Sequence, residues 1–181
     1  FRGIELSSGP DGTVFLLDWS DIGECHENDG VHRSSGRIYR ILHGKPRKPR
    51  HGDLDRLTAR ELAGLQLDAN EWYVRKARLI LQERAAQDKL AKDLTGAHKY
   101  LHQVFDQNSS ISHKLRALWA LHVTGELNEK FLLGLFKHDN EHIRLWAIRL
   151  LTDDGKTPSG KTIDTLTQLA KTESSGLVQL Y

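Results

Sequence analysis

The feature of the sequence that most restricts its fold is a pattern that recurs at helical spacing along the C-terminal part of the chain. Each copy has a hydrophobic residue, an arginine and then an apolar stripe, and the copies are WYVRKARLIL (72–81), HKLRALWALH (113–122) and HIRLWAIRLL (142–151). A truncated fourth copy, GLVQLY (176–181), has glutamine in the position of the arginine. Repeats of uneven length, with one helix pair each, are typical of an α-solenoid. We therefore expect a mostly α fold.

Further segments with the same period lie between these copies. Their apolar residues are spaced as on one face of a helix: Ala97, Leu101, Val104 and Phe105; Leu132, Leu135 and Phe136; and Ile163, Leu166 and Leu169. Thr58 and Glu61 have the spacing of a capping box, which begins a helix. Short polar connections favour antiparallel helix pairs. The prediction is a helical domain over residues 54–181 whose last repeat is truncated.

Residues 1–42 have strand patterns instead. The apolar segments IEL, TVFLLDW and RIYRI are short, and the turn sequence GPDG (9–12) separates the first two. In RIYRI, alternation puts Arg37, Tyr39 and Ile41 on one face of a strand. TVFLLDW has the composition of a buried strand. We predict a small antiparallel β segment, and because three strands rarely form an independent sheet, we expect further sequence N-terminal to this chain.

The segment HGKPRKPRHGD at 43–53 is basic, contains proline and is interpreted as a linker between these two parts. The formal net charge of the whole chain is only +2, which gives no argument for a nucleic-acid partner. No apolar run approaches the ~20 residues that cross a bilayer, so no membrane span is predicted. A single cysteine excludes an internal disulfide framework.

The stretch 20–36 is unusually long for a connection between two strands. It contains carboxylates and two imidazoles, and zinc or iron would prefer His26, His32 and one carboxylate. The residues leave two interpretations open. One is a polar loop held by Asp and Asn turns, and the other is a metal-binding or catalytic module that uses the cluster from Glu24 to His32.

Arg75, Arg116 and Arg144 have equivalent positions in the repeats. Stacked repeats would align them, and each could pair with an acidic or carbonyl group of a neighbouring turn. We expect a structural ladder between repeats, with a ligand-binding row as the alternative. Trp119 and Trp146 lie on apolar stripes and are expected in the core.

The helical part contains no motif of a catalytic site. GxSxG, Walker, GxGxxG and CxxCH sequences are absent from the chain. His98 and His102 are four residues apart, so they could face the same way, but no third metal ligand is evident near them in sequence. Binding of another protein to the exposed helix faces is therefore the expected role of this part.

The repeats resemble HEAT repeats, whose second helix typically begins with an acidic turn and a Val-Arg pair. DNEHIR (139–144) and NEWYVR (70–75) match this pattern best, while SISHKLR (110–116) lacks the acidic residue. The resemblance implies that residues 54–181 are a scaffold for protein–protein or interdomain docking.

The N-terminal part resembles a propeller blade of the glucose/sorbosone dehydrogenase-like proteins, which use pyrroloquinoline quinone (PQQ). The residues that carry this resemblance are GPDGTVFLLDWSD and GRIYRI. The longer pattern DWSD-x2-ECH-x2-DGVHR-x2-GRIYRI, followed by helical repeats, is similar to the "membrane-bound dehydrogenase" proteins of planctomycete-type bacteria. In those proteins a propeller precedes HEAT-like repeats.

This resemblance implies that residues 1–42 are the last propeller blade and that the chain is a non-catalytic C-terminal fragment. The parent would be a quinone-dependent sugar or alcohol dehydrogenase of the periplasm or cell envelope. Its other blades would be partners of this chain and would hold PQQ and the catalytic base, leaving no cofactor here. The stretch 20–36 would border the substrate channel on the active-site face, and the residues to test there are Glu24, His26, Asp29, His32 and Arg33.

Overall fold

A computed structural model describes residues 3–19, 36–45, 47–87, 93–153, 155 and 158–181. The chain divides into two compact units, Phe1–Leu54 with Ala69–Tyr73, and Asp55–Asp68 with Val74–Tyr181. The described elements are eight α-helices and one three-stranded antiparallel sheet. The prediction of a mostly α fold with a small antiparallel β segment is therefore confirmed.

The sheet has the order β1 (Gly3–Ser8), β2 (Val14–Asp18) and β3 (Arg37–Ile41). Neighbouring strands are antiparallel, and β1 is irregular between Gly3 and Glu5. The GPDG sequence forms the turn between β1 and β2, as its composition predicts.

Two glycines of this turn are required by its geometry. Gly12 has a φ of 80°, a value that side chains other than glycine rarely adopt. A Cβ on Gly9 would lie 2.7 Å from the Phe15 ring, which no real contact permits. The Asp11 carboxylate closes the turn, because it accepts from the Thr13 hydroxyl at 2.7 Å and from Arg40 of β3.

Both faces of the sheet carry apolar side chains. The register places Leu6, Leu16 and Tyr39 in one row across the three strands, while Leu17 lies opposite Ile38 on the other face. The exposed fraction is 67% for Leu6 and 71% for Ile38. β2 is half-buried along most of its length and is not the buried strand that its apolar run predicts, because the described sheet is a single layer.

The helical elements follow from residue 54 onward. Their bounds are α1 (Ala59–Gly64), α2 (Glu71–Ala85), α3 (Leu94–Gln107), α4 (Ile111–Val123), α5 (Glu129–Gly134), α6 (Glu141–Thr152), α7 (Gly160–Thr172) and α8 (Gly176–Gln179). Short 3₁₀ turns occupy Leu54–Arg56, Leu65–Leu67 and Leu135–Lys137. α1 begins with the predicted capping box, in which the Thr58 hydroxyl and the Glu61 carboxylate each accept from the other's backbone N–H.

The core of the helical unit consists of the apolar stripes seen in the sequence. Its fully buried side chains include Leu62, Leu81, Leu101, Leu118 and Ile143. α1 packs on α3, α3 on α4, α4 on α6, and α6 on both α5 and α8. The stripe of α7 is the exception, since Ile163 is 49% exposed.

Candidate functional site

The loop 20–36 joins two neighbouring strands. Asp18, near the end of β2, is paired with Arg37 at the start of β3, so the two ends of the loop lie side by side. Residues 20–35 fall outside the described part of the chain. The predicted site residues Glu24, His26, Asp29, His32 and Arg33 are among them, and both their role in a channel loop and their role in a metal site stay predictions.

The basic segment 43–53 belongs to the first unit, where Tyr73 holds its end. The Tyr73 hydroxyl accepts from the Arg50 backbone N–H at 2.9 Å, and the His51 ring packs edge-on against the Tyr73 ring. Arg47, Lys48 and Arg50 line an open depression of about 580 Å³. Asp11 and Glu71 line it as well, so its charges are mixed and do not define an anion site.

The repeat arginines Arg116 and Arg144 contact turns of the helical unit. The Arg116 guanidinium on α4 donates to the backbone carbonyls of Gln66, at 3.4 Å, and Asp68, at 3.1 Å. Arg144 on α6 donates twice to the Glu173 carboxylate, with both distances 2.8 Å, and to the carbonyls of His138 and Asp139. Arg75 on α2 is exposed.

The turns that precede α4, α6 and α8 share one construction. In each of them a side chain accepts from the backbone N–H two residues later: Asn108 from Ser110, His138 from Asn140, and Glu173 from Ser175. The later residue of each pair then caps the following helix, α4, α6 or α8. The turn preceding a helix is thus a structural repeat in its own right.

Glu173 is the most strongly perturbed carboxylate among the described residues. The hydrogen bonds from Arg144, followed by the one from the Ser175 backbone N–H, lower its pKa from 4.5 to about 2. The Glu173 side chain is 5% exposed and the Arg144 side chain 14%. This is the geometry of a structural ion pair. A carboxylate with a pKa of about 2 stays ionised near neutral pH and is a poor general acid or base there.

The structure places an unforeseen carboxylate beside the histidine pair of α3. Glu126, in the connection after α4, lies 3.0 Å from Nδ1 of His98 and 3.4 Å from Nε2 of His102. Burial of the half-buried His98 ring lowers its pKa, against the opposing effect of Glu126. Within the described ranges, no group of three or more His, Cys, Asp or Glu residues is placed to hold a metal ion.

Two tryptophans expected in the core are instead half-buried and in contact with each other. The Trp119 ring on α4 lies 4.7 Å from the Trp146 ring on α6 in an edge-to-face arrangement. The Arg78 guanidinium on α2 lies 5.2 Å from the Trp119 ring, and Arg149 lies 4.5 Å from the Trp146 ring. In the sequence, each of these tryptophans follows the first hydrophobic residue of its repeat by three or four positions. This similar spacing is the signal that could have indicated their contact.

Comparison with known proteins adds no relative. The sequence matches no protein-family model, and neither a curated protein nor a solved structure is detectably similar to it. None of the described helices combines the length and the apolar character that crossing a membrane requires.

Proposed function

We propose that this chain is a non-catalytic docking module of a larger dehydrogenase-like protein. In this proposal the three-stranded sheet is the last blade of a β-propeller, and the helices are a HEAT-like scaffold. The parent is a PQQ-dependent sugar or alcohol dehydrogenase of the periplasm or cell envelope. The observation that carries the proposal is the sheet, because both of its faces are apolar and exposed.

A sheet of this kind requires a cover on each side. Sheets buried on both faces have apolar runs in place of a strict alternation of polar and apolar residues, as β2 has in VFLLD. The residues Leu6, Tyr39 and Ile41 on one face and Ile38 on the other are all more than 40% exposed. Exposed apolar surface of this extent marks an interaction site. Adjacent blades of a propeller supply that cover on both faces at once.

The helical unit supports the scaffold half of the proposal. Among the odd-numbered helices, α1 packs on α3. Among the even-numbered helices, α4 packs on α6 and α6 packs on α8. Stacked helix pairs bring first helices against first helices and second against second in this way. The turns before α4, α6 and α8 have a shared construction, and Arg116 and Arg144 contact turns of the unit, which supports a structural ladder between repeats.

A surface substitution in the sheet tests the docking proposal. Ile38→Ser in the 181-residue chain should change the free energy of unfolding by less than ~0.5 kcal/mol, because Ile38 is exposed. In the full polypeptide from the native source, the same change should lower the free energy of unfolding by about 2 kcal/mol, because it removes an apolar side chain that other blades would bury. Chemical denaturation of both proteins measures the difference.

Ile163→Ser is the matched control, because Ile163 is an exposed isoleucine on α7 and not on the sheet. It should have the same small effect in both proteins. Equal, small effects of Ile38→Ser in both would contradict the proposal that the sheet docks against other β-structure.

The enzymatic part of the proposal has its own test. The full polypeptide, supplied with PQQ, should oxidise a sugar or alcohol with a dye as electron acceptor, and the 181-residue chain alone should not. The alternative is a metal-binding or catalytic module in the 20–36 loop. Stoichiometric metal in the purified chain that is lost in His26→Ala or His32→Ala would favour that alternative.

A further inference from the structure

A continuous row of arginine and aromatic side chains crosses the even-numbered helices. We name it the Arg–Trp row, and its members are Arg78 on α2, Trp119 on α4, Trp146 and Arg149 on α6, and Tyr181 after α8. Each member contacts the next. The last contact places the Arg149 guanidinium 5.3 Å from the Tyr181 ring, in addition to its 4.5 Å contact with the Trp146 ring.

The Arg149 end of the Arg–Trp row is accessible from solvent, whereas Nη1 of Arg78 and Nε1 of Trp119 are buried. Arg149 is exposed, both tryptophans are half-buried, and Tyr181 is 59% exposed. On α2, Leu79 is 45% exposed and follows Arg78 directly, while Arg75 precedes Arg78 by three positions and so lies on a neighbouring part of the helix surface. In the row, two guanidinium groups flank a pair of indole rings, and the Tyr181 ring follows the second guanidinium.

The charge of the helical unit is concentrated on the same helices. α2, α4 and α6 together contain eight lysines and arginines and three acidic residues, whereas α1, α3, α5 and α7 contain five and four. Arg144 is neutralised by Glu173, but Arg75 and Arg149 are exposed, so a partner that binds the even-numbered helices gains from negative charge.

We propose that the Arg–Trp row binds an acidic peptide segment that also carries apolar side chains. This rests on the proposed role of the helices as a docking scaffold and adds the class of partner. A guanidinium over an aromatic ring keeps its in-plane N–H groups in the geometry that a carboxylate accepts. The tryptophan rings beside it provide apolar contact area, and Trp, Tyr and Arg are the residues that dominate binding energy at protein interfaces.

The observations favour a peptide over a nucleic acid. A nucleic acid requires a track of cations matched to successive phosphates. The row instead has two arginines separated by two tryptophans, and Asp153 at the end of α6 pairs with His122 of α4 at 3.2 Å. That carboxylate opposes a polyanion, whereas a peptide with a few separated carboxylates can avoid it.

Fluorescence anisotropy on the whole 181-residue chain tests the proposal. The probe is a labelled peptide of alternating glutamate and leucine, and its counterpart has glutamine in place of glutamate. We expect the glutamate peptide to bind about tenfold more tightly, and Arg149→Ala to weaken its binding about tenfold. Arg149→Lys should recover part of that loss. Circular dichroism checks that the variants are folded.

Arg60→Ala is the matched control. Arg60 on α1 lies over the Tyr100 ring of α3 at 3.4 Å, so the variant removes an arginine–aromatic pair of the same chemistry from the odd-numbered helices. It should leave peptide binding unchanged. Equal binding of the two peptides, equal effects of Arg60→Ala and Arg149→Ala, or tighter binding of single-stranded oligothymidine would each overturn the proposal.

The Ile38→Ser variant separates this proposal from the docking of the sheet. It should leave peptide binding unchanged, since Ile38 is not a helical residue. If Arg149→Ala loses peptide binding while Ile38→Ser has the same small effect on stability in both proteins, the docking of the sheet fails and the peptide proposal stands. If Arg149→Ala binds the peptide like the wild type while Ile38→Ser destabilises only the full polypeptide, the peptide proposal fails and the docking of the sheet stands.

Discussion

Arg144 connects two turns of the helical unit through a single guanidinium group. It donates to the carbonyls of its own turn at His138 and Asp139 and to both carboxylate oxygens of Glu173 in the next turn. Only an arginine can do both, because its five N–H groups lie in one fixed plane. A lysine at this position would keep the charge and lose the bridge.

Glu173→Gln should lower the free energy of unfolding by about 1 kcal/mol near neutral pH, because it removes the charge from this bridge. The carboxylate has a lowered pKa of about 2 when folded, against 4.5 as its ordinary value. Its contribution is therefore complete above about pH 5 and is lost as the pH falls toward 2. Denaturation of both proteins across this range should show their stabilities converging at low pH. A constant difference would contradict the assignment.

His98 should make the helical unit sensitive to mild acid. Burial lowers the pKa of this histidine in the folded chain, so the unfolded chain binds a proton more readily. Stability should fall as the pH drops below the ordinary histidine pKa of 6.5, and His98→Gln should reduce that slope. An identical slope in His98→Gln and the wild type would refute this.

At the scale of elements, the turn before α4, α6 and α8 is the recurring unit. Asn140 shows its construction, because its backbone N–H is accepted by His138 Nδ1 while its side chain accepts from the His142 N–H. Asn140→Ala should destabilise the helical unit by about 1 kcal/mol through loss of the cap of α6. Asn140→Ser should recover most of it, because serine has the same role before α4 and α8. Urea denaturation checks both, and an alanine variant as stable as the wild type would contradict the cap.

The elements also show what the sequence could and could not predict. The capping box at Thr58 and Glu61 and the faces of β3 follow from local spacing, and both are found. Glu126 beside His98 could not be foreseen, because packing of α3 on α4 joins residues far apart in the chain. The half-burial of Trp119 was missed for a related reason, since an apolar stripe indicates a face but not what covers it. The residues of the 20–36 loop remain predictions.

At the scale of the whole molecule, the two units differ in how much of their apolar surface stays exposed. The helical unit buries its stripes among its own helices, with side chains such as Leu62 and Leu118 fully inaccessible. The sheet leaves Leu6 and Ile38 exposed on opposite faces. A sheet with two apolar faces is the expected form of one layer of a larger β-structure. The docking proposal therefore depends on the sheet more than on the helices.

The most direct test of the account is amide hydrogen exchange of the sheet, measured in the 181-residue chain and in the polypeptide purified from the native source. We expect β1, β2 and β3 to exchange rapidly in the chain alone and to be strongly protected in the native polypeptide, with the core of α4 and α6 equally protected in both. Equal protection of the three strands in the two proteins would mean that nothing covers the sheet, and would contradict the account.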